Sequence, residues 1–152
     1  RGTGVVVRLS EFMDGGGTNG WTPGKVVPTS EIRDCLSREF DLVPRMRDGP
    51  SDVASRWAHS DGSGEVGFIS SVSQPFCGDC VRARLSSDGK LFTCLFSTLG
   101  HDLSELIKGD HDVSELTRAI TEVWTKRSDR YSEERSSGGY SLPRIEMSYI
   151  GD

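Results

Sequence analysis

The chain has 152 residues, 34% of them apolar and 27% charged, with a net charge of -5. That is enough for one core of ordinary size, and it argues against general nucleic-acid binding while leaving room for a local basic site. No apolar run approaches the roughly 18 residues of a membrane helix and no secretory leader is read, so a cytoplasmic protein is expected. In that compartment, four cysteines read as metal ligands or free thiols rather than a disulfide framework.

In chain order, Val5–Met13, VVVRLSEFM, has the near-continuous apolar pattern of a buried parallel strand. A parallel strand needs neighbours and crossover helices. None are read ahead of it, so a piece of a larger protein is expected. Asp14–Lys25 is a loop by its glycine content. Pro28 with Thr29 or Ser30 opens a helix, SEIRDCLSREF, in which Ile32, Leu36 and Phe40 recur one turn apart. Cys35 lies in it as a small core or surface thiol. Two strands, near Ala54–His59 and Glu65–Ser70, are joined by Asp61-Gly62-Ser63-Gly64. VRARLS and KLFTCLF then flank Ser87-Asp88-Gly89, a hairpin signal because aspartate and glycine tolerate positive φ. Asp102 with Glu105, and Asp112 with Glu115, start two helices. Val113, Leu116, Ile120, Val123 and Trp124 of the second are expected in the core. SDRYSEERSSGGYS is expected to be a mobile loop, and a short tail follows it.

Three of the four cysteines fall in PFCGDCVRARLSSDGKLFTC, Pro75–Cys94. Cys77-x-x-Cys80 is a chelating bite, and Gly78 eases its turn. A hairpin turning at Asp88-Gly89 would bring Cys94 back toward that pair. Three thiolates suit either a zinc site completed by His101, with Cys35 more remote, or a four-iron cluster with one iron lacking a protein ligand. Composition and spacing leave the two level. Arg82 and Arg84 stand two apart on an expected strand and so share a face, with Val81, Ala83 and Leu85 on the other. Two guanidiniums beside a metal suit an anion, most naturally a phosphate.

The whole block GFISSVSQPFCGDCVRARLSSDGKLFTCLFS resembles the C-terminal signature of the GTP 3′,8-cyclase family, radical-SAM enzymes of molybdenum cofactor biosynthesis. VVVRLSEFMD resembles a late barrel strand of that family, VPTSEI the helix start after it, and PRIEMSYIG its C-terminus. The resemblance implies an α/β (α+β) fragment: the C-terminal part of an incomplete radical-SAM TIM-type barrel, plus a small antiparallel sheet with an iron-sulfur site and helices. Residues 1–48 would hold the last barrel strands and helix, and 49–152 an iron-sulfur and GTP-binding domain. Cys77, Cys80 and Cys94 would carry the family's second [4Fe-4S] cluster, whose open iron binds guanine. Arg82, Arg84 and the Ala83 backbone would hold GTP, and Met13 would lie against S-adenosylmethionine. In the family a radical made at another cluster removes a ribose 3′ hydrogen, and the ribose carbon attacks guanine C8. No residue here is assigned to catalysis, because the Cys-x-x-x-Cys-x-x-Cys motif of that other cluster is absent from these residues. An N-terminal radical-SAM half as a separate chain, and a homodimer, are the protein partners to test; neither nucleic acid nor a membrane is expected. The family usually ends in a double glycine, whereas this sequence ends Gly151-Asp152.

Overall fold

The computed structural model describes residues 2–49, 51–135 and 145–150. It is a mixed α/β chain whose contacts gather into two compact units. Arg1–Met13 with Trp21–Cys80 forms the first, and Asp14–Gly20 with Val81–Asp152 the second.

The first unit is a four-stranded sheet with one helix. Its strands are β1 (Val7–Ser10), β2 (Leu42–Arg45), β3 (Ser55–His59) and β4 (Glu65–Ile69), in the order β1-β4-β3-β2. β1 runs parallel to β4, with Val7 opposite Val66 and Leu9 opposite Phe68. β2, β3 and β4 form an antiparallel meander. The expected parallel strand is therefore present, but its neighbour comes from later in the chain. It is also an edge strand, which corrects the expectation of burial: Val5 is 67% exposed and Val7 50%. Helix α1 (Thr29–Glu39) starts where Pro28 was read to open it, because proline favours a helix start and the following residues lack breakers. Cys35 is exposed on it, a surface thiol. Ala54 and Phe68 are the buried apolar side chains here; burying Phe68 contributes roughly 2–3 kcal/mol.

The second unit has a three-stranded antiparallel sheet, β5 (Arg84–Leu85), β6 (Lys90–Phe92) and β7 (His101–Asp102). Helices α2 (Ser104–Lys108), α3 (Val113–Thr125) and α4 (Tyr131–Glu134) follow. Among the described residues, Leu91, Phe92, Leu103, Tyr131 and Ile150 are its buried apolar side chains. The hairpin turn lies where it was read. Gly89 has φ +87°, and a Cβ there would lie 2.9 Å from Ser104 Cα, so both conformation and space require glycine. Asp112 caps α3 by accepting from Ser114 N, as its sequence position suggests. Gly109 terminates α2.

Two expectations are corrected here. The apolar face of α3 is only partly covered: Val113 is 75% and Ile120 38% exposed. The periodicity predicted amphipathicity correctly, but among the described residues these two side chains are not covered. The segment from Ser128 is not a loop throughout. Tyr131–Glu134 is helical and Tyr131 is buried, while the 136–141 part of the expected mobile loop lies outside the described residues. No described helix is long and apolar enough to cross a membrane.

Candidate metal and nucleotide site

The Cys77-x-x-Cys80 turn is in the first unit. Cys77–Asp79 forms one 3-10 turn, closed by Cys80 N donating to Cys77 O at 3.3 Å. Both thiols are half-buried. The segment leading into this turn is fixed by a buried carboxylate, Glu11, at the end of β1. Glu11 accepts from Val72 N and Ser73 N, both at 2.7 Å, from the Ser73 hydroxyl at 2.5 Å and from Thr29 N at 2.9 Å. The last is the first N–H of α1, so a side chain distant in sequence satisfies a helix end that would otherwise lack an acceptor. Thr29 and Ser70 share a further hydroxyl hydrogen bond at 2.5 Å. Burial alone would push the Glu11 carboxyl up. The Ser73 hydroxyl and the N–H groups of Ser73, Thr29 and Val72 outweigh that effect and hold it below the usual carboxylate range.

Cys94 belongs to the second unit, two residues past β6. Its turn is held on both sides by Asp129: Thr93 Oγ1 donates to Asp129 Oδ2 at 2.6 Å, and Ser97 Oγ to Oδ1 at 3.5 Å. Arg127 Nε donates to the same carboxylate at 3.3 Å. Phe96 N donates to Cys94 Sγ at 3.5 Å. Cys94 opens onto a cleft of about 180 Å³ shared with Ser97, Asp129, Arg130 and Tyr131.

A second buried carboxylate, Asp14, lies close by in this unit. Tyr131 OH donates to Asp14 Oδ2 at 2.5 Å and Arg135 Nε to Oδ1 at 2.9 Å. The Tyr131 ring stacks on Phe96 with centroids 4.6 Å apart, and the Arg135 guanidinium sits 5.3 Å from the Phe96 centroid. Glu146 accepts from Gly17 N at 2.8 Å and from Thr18 Oγ1 at 3.3 Å, so the glycine loop is tied to the tail as well. Tyr149 donates to Asp88 at 2.7 Å on the hairpin turn, where Lys90 also pairs with Asp88 at 2.9 Å. Hydrogen bonds from Lys90, Ser86 and Tyr149 hold Asp88 well below the usual carboxylate range, and its partners Asp88 and Tyr149 push Lys90 up to about 12.

The basic residues are placed differently from the expected strand. β5 begins only at Arg84, which pairs with Phe92, because β6 extends no further than that to pair with 81–83. Arg82 and Ala83 lie exposed ahead of it and Arg84 is half-buried, so strand alternation does not set the side of Arg82. Val81 and Leu85 are themselves exposed. Met13 is half-buried, at the end of the first segment of the first unit. His101 is exposed in β7 and opens onto a larger cleft, about 530 Å³, that Cys94 does not line. Among the described residues no three His, Cys, Asp or Glu side chains form a group that could hold a metal ion. None of the four cysteines is in a disulfide.

Sequence reasoning missed Glu11, Asp14, Asp129, Tyr131 and Arg135. An available signal for Glu11 was an acid inside an otherwise apolar run, which is rare unless its carboxylate is satisfied. The others sit in polar, glycine-rich stretches that read as solvated.

A mixed α/β domain with a cysteine turn in one unit and a cysteine beyond a hairpin in the other defines the class. The chain belongs to the Molybdenum Cofactor Synthesis C family, which matches residues 5–133. It is similar to the GTP 3′,8-cyclase of Xanthomonas campestris pv. campestris (strain B100), 48% identical over 152 residues that cover 99% of this chain and 44% of that protein. The GTP 3′,8-cyclases of Synechococcus sp. (strain CC9902) and Acidothermus cellulolyticus (strain ATCC 43068 / DSM 8971 / 11B) are 44% and 40% identical, over 99% of this chain and 44% and 49% of their own lengths. The chain thus spans less than half the length of these curated relatives.

Proposed function

We propose that the chain is the cluster- and GTP-holding part of a cytoplasmic GTP 3′,8-cyclase, with Cys77, Cys80 and Cys94 as ligands of a [4Fe-4S] cluster. The observation that carries this reading is the build of Pro75–Cys94 in a member of this family. Two thiols share one tight turn and the third follows a glycine-dependent hairpin. The donor chemistry fits: thiolates are the usual protein ligands of such clusters, and an N–H donated to a ligand sulfur is one of the terms that tunes them. When bound, the cluster supplies an iron without a protein ligand, a Lewis-acidic point for the guanine base.

The chain's own residues bind and orient. Arg82 and Arg84 present two guanidiniums suited to the phosphates of GTP, and the Ala83 backbone lies between them. Holding base and phosphates at separate points fixes the ribose between them, a positioning contribution. Met13 is assigned to S-adenosylmethionine contact in the complete enzyme. Residues 1–48 are assigned to the last barrel strands and helix, and 49–152 to the cluster and nucleotide domain. Radical generation is assigned to a radical-SAM half beyond these residues, as a separate chain or a continuation of this one. The zinc reading is weaker, because His101 faces a cleft that Cys94 does not line.

Anaerobic reconstitution of the 152-residue chain with iron and sulfide tests the assignment. About four irons per chain and charge-transfer absorption are expected. Cys77→Ala, Cys80→Ala and Cys94→Ala should each lose them, while Cys35→Ala keeps them. One zinc in a colourless chain would replace the iron reading with the zinc one. Replacing both Arg82 and Arg84 with Ala should weaken GTP binding by at least about tenfold, as loss of charge-assisted contacts predicts.

A further inference from the structure

The Cys94 turn is held by more than its own backbone. Asp129 takes hydroxyls from Thr93 and Ser97, the residues immediately before and three after the cysteine. Phe96, whose N–H reaches the sulfur, is gripped from the other side. Tyr131 stacks flat on its ring and Arg135 lies over it, 5.3 Å from the centroid. Both of these residues end on one acceptor, Asp14, which is fully buried. The linkage is thus Asp14 to Tyr131 and Arg135, then the Phe96 ring, then the Phe96 N–H, then Cys94 Sγ. Every member lies within the second unit.

The physical argument rests on the cost of moving any member. A buried carboxylate paired with a buried guanidinium is held tightly, because separating them leaves a bare charge in a dry site. Two stacked rings fix orientation as well as contact. A thiolate's properties follow the N–H groups aimed at it, so rotating Phe96 changes the sulfur without touching it.

We propose that Asp14, Tyr131 and Arg135 are positioning residues for the Cys94 sulfur, acting through the Phe96 ring and N–H. This rests on the reading of Cys94 as a cluster ligand for its second readout only. The first readout needs no metal.

In the apo chain, iodoacetamide labelling of Cys94 is followed by mass spectrometry with exposed Cys35 as internal reference. Tyr131→Phe removes one hydrogen bond and keeps the stack; Phe96→Leu removes the stack. Each should raise the Cys94:Cys35 labelling ratio, Phe96→Leu by roughly tenfold, as expected for loss of local protection. Asp14→Asn combined with Phe96→Leu should be clearly less than additive, since one linkage can be broken only once. Glu146→Gln, which loosens the same glycine loop without touching Phe96, should leave the ratio unchanged. Additive effects, or an equal response to Glu146→Gln, would overturn the proposal. In the reconstituted chain, Tyr131→Phe should retain iron yet shift the cluster's electron paramagnetic resonance signature. An unchanged signature together with an unchanged labelling ratio would also overturn it. Loss of iron binding by the unsubstituted chain would instead count against Cys94 as a ligand and leave the labelling result standing.

Discussion

Glu11 and Asp14 are buried carboxylates three residues apart in sequence, yet they are satisfied by opposite means. Glu11 is surrounded by donors without charge: three backbone N–H groups and one hydroxyl. Asp14 is met by a guanidinium and a phenol. The first ties a helix start and a loop to a strand end, within the first unit. The second ties a glycine loop to an aromatic stack, within the second. A carboxylate answered by backbone fixes the path of the chain. One answered by side chains fixes other side chains, and through them the turn they pack on.

That contrast predicts unequal consequences. Asp14→Ala breaks the buried ion pair to Arg135, and about 3–5 kcal/mol of stability should be lost. A urea midpoint close to that of the unsubstituted chain would show that Arg135 finds water instead. Glu11→Gln should cost less, about 1–3 kcal/mol, because one amide oxygen still accepts while the amide nitrogen faces N–H donors. If Glu11→Gln proves the more damaging, the ranking is wrong.

Acid tests Glu11 next. Glu11 is held below its ordinary value of 4.5, so its contribution is complete above that pH and is lost as pH falls through the lowered folded value. Urea midpoints measured between pH 6 and pH 3 should therefore fall in the native chain. The Glu11→Gln variant should show a shallower fall, and equal slopes would remove Glu11 from the account.

The smallest effect belongs to an exposed carboxylate, Asp88, which serves as the control. Tyr149→Phe deletes one of its donors and a partner of Lys90. The Lys90 titration, seen by NMR, should move down from about 12 toward its ordinary 10.5, with no change in the urea midpoint. Lys90 stays above its unfolded value, so its pairing persists at neutral pH and is lost only as pH rises toward 12.

Local signals in the sequence were reliable where chemistry is local. Pro28 and Asp112 marked helix starts, Asp88-Gly89 marked a turn, and the 65–69 strand returned against its neighbour. β2 was missed because Pro44 argues against a strand, although an outermost strand tolerates proline. β7 is two residues long and carries no pattern to read. Burial was overestimated for Val5, Val7, Val113 and Ile120, since periodicity reports which face is apolar and not whether anything covers it. The turn at Cys77-x-x-Cys80 and the hairpin ahead of Cys94 were legible from spacing. The carboxylates behind them were not, because Tyr131, Arg135 and Asp14 meet only through long-range packing, 117 and 121 residues apart.

The four-stranded sheet has two unlike margins. β2, on one side, includes Pro44, which has no N–H to offer an incoming strand. β1, on the other, runs Val-Arg-Leu-Ser without a proline and follows the exposed Val5 and Val6. The sheet therefore has a direction of growth: it is terminated at β2 and extensible at β1. An arginine or proline placed at Val7 would close that open margin, making the sheet finite on both sides.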